Sequence, residues 1–158
     1  MPRGRISGIF FCLEGGRPSK FTQQVTLMGN FGMQGDRHAK EGSPKQLLLM
    51  SADVLRATNL KPGQTKENFT VRNLDVDRLP AGTQLRVGAT AIIEITQPCA
   101  PCAQMEKIRP GVMAQLKGRR GMYARVVRGG IVYLEDVLEV IPQARETHDP
   151  VPLVSPPE

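Results

Sequence analysis

Short runs of alternating apolar and polar residues, separated by glycine and proline, dominate the chain. Gly4–Leu13 is predicted as a first strand, with Ile6, Ile9 and Phe11 as core candidates. Phe21–Met28 alternates as a second strand, and the glycine-rich Gly29–His38 reads as a loop needing unusual backbone angles. Gln46–Met50 is a short apolar run that fits a fully buried strand. Ser51 can cap a helix reaching about Asn59, with Asp53 in its first turn. Further strands are predicted over Glu67–Val71, Leu85–Gly88, a stretch opening at Ala91, and Val137–Ile141. Tyr123–Val127 and Ile131–Leu134 read as a hairpin turning at Gly129-Gly130.

Helical periodicity is confined to short pieces, Ala103–Ile108 and Val112–Lys117, the latter ended by Gly118. Many short strands with few helices predict a mostly β, barrel-like single domain over residues 1–141. Residues 142–158 hold five of the thirteen prolines and are expected to form a Pro-rich, flexible tail. At 158 residues, one domain buries roughly 70% of its unfolded surface without staples.

Composition narrows the function. The net charge is +6 with a pI near 9.6, which suits an anionic ligand. Aromatic content is 4% with no Trp, too little for a base-stacking platform, so nucleic acid is not an expected partner. No apolar run is long enough for a signal peptide or membrane span, which points to the cytoplasm. No phosphate-loop or dinucleotide fingerprint is present, and no pyridoxal phosphate site is readable.

The strongest chemical signal lies between Ala91 and Arg128. Pro98 and Pro101 stop a strand, and Cys99 and Cys102 sit in that stop. Cys102 falls at the start of the predicted short helix, where the helix end favours thiolate. Cys99 either resolves an oxidised Cys102 through a disulfide or is a bystander. One CxxC gives only two zinc ligands, so zinc is not expected unless Cys12 and His38 converge on it. Cys12 itself reads as core. His38 is a candidate proton donor or ligand contact, and His148, in the tail, reads as inert. Asp36 is either a ligand contact or a turn cap. Arg119 and Arg120 are candidates for bidentate phosphate binding, and Arg125 for lining a pocket.

Taken in order, several stretches resemble the MOSC domain, the C-terminal domain of molybdenum cofactor sulfurases, in its small stand-alone bacterial form. They are Gly35-Asp36-Arg37-His38, Gln46–Leu49, Glu67–Val71, Leu79–Gly88, Glu94–Pro98 with Pro101-Cys102, and Gly118–Val126. Two positions differ from the family pattern: Lys66 stands where glycine is common, and Ala39 where a second histidine is common. The resemblance implies a β-barrel-type fold and a functional cysteine at Cys102. That cysteine either carries sulfane sulfur as a persulfide or ligates molybdenum held by its pterin cofactor, in relatives that reduce N-hydroxylated compounds. Asp36, Arg37, Asn68, Arg119, Arg120 and Arg125 are the expected cofactor contacts, with Cys102 and His38 as the expected catalytic pair. Such a protein would act as a sulfurtransferase-like carrier or a molybdenum-dependent reductase. Its partner would be a cysteine desulfurase or other sulfur donor, or a separate electron-donating reductase. Two other readings stay open: a metal-free thiol–disulfide protein using Cys99 and Cys102, and a non-catalytic basic adaptor.

Overall fold

The computed structural model describes residues 2–14 and 17–142. The turn expected at Glu14–Pro18 falls partly outside these residues. The Pro-rich tail beyond Pro142, with His148, falls wholly outside them.

The strands are β1 (Arg3–Phe11), β2 (Lys20–Phe21), β3 (Gln24–Met28), β4 (Gly32–Met33), β5 (Leu47–Ser51), β6 (Phe69–Arg72), β7 (Gln84–Val87), β8 (Ala91–Pro98), β9 (Met122–Arg128), β10 (Gly130–Tyr133) and β11 (Val137–Ile141). Two short α-helices, α1 (Ala52–Ala57) and α2 (Val112–Gln115), and two 3-10 segments, Val76–Arg78 and Ala103–Lys107, fill the connections. Seven strands close into a barrel in the order β11-β7-β8-β9-β5-β6-β1, with β1 returning to pair with β11. β5 and β6 run parallel, and the other barrel pairs are antiparallel. Closure removes the exposed edges that an open sheet would present. The expected mostly β, barrel-like fold is therefore the one observed.

The barrel interior is filled by Ile6, Ile9, Leu47, Leu49, Phe69, Val71, Leu85, Ile93, Ile95, Ala124 and Val126, with others. Each such side chain contributes about 1.5–3 kcal/mol when fully buried, alanine less. β5 explains why its sequence reads as a continuous apolar run. Leu47 and Leu49 point into the barrel. Met50 points outward into a second cluster with Leu55 of α1, Leu60, Met105, Val112 and Leu116. A strand covered on both faces needs no polar positions.

Two sequence expectations are corrected. The second strand is two pieces: β2 adds to β1, whereas β3 belongs to a small separate sheet ordered β10-β3-β4. The predicted hairpin of β9 with β10 does not form, because both edges of β9 are occupied, by β8 and by β5. At Gly129 the chain leaves the barrel, and β10 pairs with β3 instead. A Cβ on Gly129 would lie 2.4 Å from the Leu27 carbonyl oxygen, so the crossing requires glycine.

Candidate functional site

β8 ends at Pro98, and the segment after it crosses the outer face of the barrel. Cys99 stays attached, its amide donating to the Gly121 carbonyl at 2.9 Å. Cys102 caps the 3-10 segment Ala103–Lys107 without a side-chain capping bond and is exposed. The predicted α-helix is thus a short 3-10 piece, which carries little of a full helix dipole. On the facing strands, Leu48 of β5 pairs with Tyr123 of β9, and both side chains stand out of core phase. Between these elements and the Gly35–Ala39 loop lies a cavity of about 440 Å³. Leu48 and Tyr123 line it with Cys99, Cys102, Arg37, His38, Lys45, Lys66 and Arg120. Four cations and no carboxylate stand among its described lining residues. An anion is the ligand that such a wall attracts.

Arg120 is 5% exposed. Its Nη2 donates to the Thr65 carbonyl at 2.7 Å, while Nε and Nη1 have no partner among the described residues. The Thr65 hydroxyl donates to Glu67 at 2.6 Å, and that buried carboxylate also accepts from Gly63 N at 2.9 Å and Thr70 Oγ1 at 2.6 Å. The arginine is therefore held by a rigid network but left with unused donors. A buried cation in that condition is costly without an anionic partner.

The Gly35–Ala39 loop presents His38. The Asp36 carboxylate behind it is fully enclosed. Its Oδ1 accepts from Cys12 N at 2.6 Å and Asn68 Nδ2 at 2.9 Å. Its Oδ2 accepts from His38 N at 2.8 Å and is 2.9 Å from His38 Nδ1. Cys12, Asp36 and His38 have ligand atoms within 4.8 Å of one another, the spacing of a metal cluster. Both Asp36 oxygens serve two contacts each, and in the absence of an ion burial and the Asp36 charge push the Cys12 thiol up to about 12. The thiol stays protonated and donates to the Lys66 carbonyl at 3.0 Å. This group is a hydrogen-bonded knot under the loop.

Of the expected site residues, the cavity gathers Cys102, Cys99, His38, Arg37 and Arg120. It does not gather the others. Asp36 lies beneath the loop. Asn68 is fully buried, its Oδ1 accepting from Leu48 N at 2.9 Å and its amide donating to Phe10 O at 3.2 Å as well as to Asp36. It ties β5 to β1 and to the loop. Arg119 turns to the surface, its Nε donating to Gln115 O at 2.9 Å. Arg125 forms a cross-strand pair with Glu94 at 3.2 Å.

Lys45, Lys66 and Tyr123 were not legible as site residues. Lys45 Nζ lies 5.4 Å from the centre of the Tyr123 ring. The Cys99 thiol donates to the Tyr123 hydroxyl at 3.5 Å. Burial and that contact push Tyr123 up to about 12. Lys66 adopts φ 64, the left-handed region where glycine fits best, and its ammonium reaches Arg17 O at 2.8 Å. Tyr123 carried one usable signal, its position one residue out of phase with the buried Met122 and Ala124. The two lysines, on loops, carried none.

The fold recurs in solved structures. The YuaD protein of Bacillus subtilis superposes with a TM-score of 0.75 at 18% identity, over 87% of this chain and 95% of that one. YiiM of Geobacillus stearothermophilus gives a TM-score of 0.71 at 18% identity, over 89% and 76%. YiiM of Escherichia coli gives 0.65 at 18% identity, over 89% and 71%. No curated protein sequence matches the chain. No helix among the described residues is long and apolar enough to cross a membrane. The MOSC domain model matches residues 36–139, which span the loop bearing His38, the thiol segment and Arg120, so the chain belongs to the MOSC domain family.

Proposed function

We propose that the cavity holds a molybdenum-pterin cofactor and that the protein reduces N-hydroxylated compounds with electrons from a separate reductase. The observation that carries this reading is Arg120, a buried cation on the cavity wall with two unused donors. The donor set fits the group. Arg120, with Arg37 and Lys45, would hold the pterin phosphate, because guanidinium donors match phosphate oxygens. Cys102 is a soft sulfur donor, accessible on the same wall, and would be the protein ligand to the metal. When bound, the cofactor supplies two-electron reduction. Leu48 and Met105 give the cavity an apolar side. An adjoining cavity of about 500 Å³, sharing Lys66, Gln104 and Met105 with the first, leaves space for the body of a substrate.

A second reading is sulfur carriage. The exposure of Cys102 favours it, since a persulfide carrier must meet its donor and acceptor at the surface. The donor would then be a cysteine desulfurase or an equivalent sulfur source.

The two separate in protein purified without oxygen from a host that makes the cofactor. Stoichiometric molybdenum and pterin, lost in Cys102→Ala and reduced in Arg120→Met, is the expected result. A reducible mass gain of one sulfur on Cys102 with no metal would move the assignment to sulfur carriage. Absence of both would leave the protein to a dithiol or adaptor role, decided by whether Cys99→Ala changes Cys102 oxidation.

A further inference from the structure

His38 has its two ring nitrogens in different situations. Nδ1 is 2.9 Å from Oδ2 of the fully enclosed Asp36 carboxylate. Nε2 has no hydrogen-bond partner among the described residues, and the ring is 15% exposed on the cavity wall. Asp36 cannot swing away. The Cys12 and Asn68 donors hold its other oxygen, and the His38 backbone amide holds Oδ2 itself. A carboxylate can only accept, so Nδ1 must carry the ring hydrogen. We infer that Asp36 is a positioning residue that locks His38 in the Nδ1–H form, and that Nε2 is the proton donor and acceptor facing a ligand in the cavity.

This deepens the proposed function and rests on it for the identity of the ligand. A neutral Nε2 accepts a hydrogen bond from the N–O–H group of an N-hydroxylated compound. For an amidoxime the overall change is R–C(NH₂)=N–OH + 2 e⁻ + 2 H⁺ → R–C(NH₂)=NH + H₂O, and the separate reductase supplies both electrons. Nε2 then takes a proton from solvent and passes it to the oxygen that leaves as water, and solvent supplies the other directly. No carboxylic acid stands among the described lining residues, and Arg37, Lys45, Lys66 and Arg120 give the same cavity its positive charge. The signal in the sequence was only Asp36 two residues before His38. Which nitrogen it holds is visible from the geometry alone.

The chain contains two histidines, so a ¹⁵N-histidine spectrum holds two imidazoles, and His148→Gln assigns them. The expected result in cofactor-free protein at neutral to alkaline pH is a His38 ring with a pyrrole-type Nδ1 and a pyridine-type Nε2. A ring protonated mainly on Nε2 would overturn the assignment of Asp36. In cofactor-loaded protein with benzamidoxime as probe, His38→Gln should lower kcat at least tenfold with KM changed less than about twofold. An unchanged kcat would overturn the proton-donor role. Protein that binds no cofactor defeats the proposed function and the proton transfer that rests on it, while the spectrum still decides the role of Asp36.

Discussion

Replacing Arg120 by methionine should stabilise the ligand-free protein. The wild-type guanidinium is buried with Nε and Nη1 unpartnered and one hydrogen bond, to Thr65 O. Two buried donors without partners cost about 1–3 kcal/mol each, so their removal returns about 2–6 kcal/mol. The lost charged hydrogen bond opposes this by about 1.5–3 kcal/mol. The balance runs from about −1 to +4.5 kcal/mol and centres on a gain of about 2 kcal/mol, within the range seen when buried charges give way to well-packed apolar side chains. For a domain of this size that central gain raises Tm by roughly 4–8 °C. The assay is thermal unfolding of both proteins in an uncharged-buffer series, then with rising inorganic phosphate. Wild type should gain about 2.7 kcal/mol at a hundredfold excess over its Kd, and Arg120→Met should gain little. A variant less stable than wild type by more than about 1 kcal/mol without phosphate, or one that gains equally from phosphate, would refute the reasoning.

Other predictions follow from the same geometry. Iodoacetamide at pH 7.5 should label Cys102 first and Cys99 slowly. Cys12, held near 12, has roughly one thiolate in ten thousand or fewer and should stay unlabelled in native protein, as peptide mass spectrometry would show. Asn68→Ala should cost about 2–4 kcal/mol in urea unfolding, because it orphans the buried Leu48 amide and loosens Asp36; a neutral variant would return Asn68 to the list of ligand contacts. Burial raises the Asp77 carboxyl above its ordinary value near 3.8, so the folded state takes up a proton more readily than the unfolded chain. Asp77 therefore lowers stability as pH rises through and above that region. Asp77→Asn should gain on wild type from pH 3.5 to 7, and a gap that widens towards acid would contradict the sign. Gly121→Ala should lose more than about 2 kcal/mol, since φ is +103 and its Cβ would lie 2.4 Å from Leu49 O; a melt within 2 °C of wild type would contradict this.

Much of the barrel was legible because burial leaves a mark in local pattern. The continuous Leu47–Met50 run follows from a strand covered on both faces, and Ile93 and Ile95 from one covered on its inner face. Barrel closure, the parallel pairing of β5 with β6 and the departure of β10 from β9 are long-range facts that no local window contains. Gly129-Gly130 spells a hairpin turn, yet its outcome was set by strands β5 and β8 on either side of β9. The site divides in the same way. Cys102 was found by its chemistry and Arg120 by its charge. Which of the neighbours Arg119 and Arg120 turns inward depends on packing, and Arg119 went to solvent. Arg125 met Glu94 across the strand pair, a partner 31 residues away. Asn68 and Asp36 spell ligand contacts equally well as they spell buried clamps, and in the structure both are hydrogen-bonded within the protein beneath the cavity.

In the proposed function Cys102 and Arg120 serve one ligand. X-ray absorption at the molybdenum edge, on protein loaded in a cofactor-competent host, tests it most directly through Cys102→Ser. The predicted result is one fewer sulfur neighbour at the metal than in wild type. An unchanged sulfur count, with metal still bound, would contradict the assignment of Cys102.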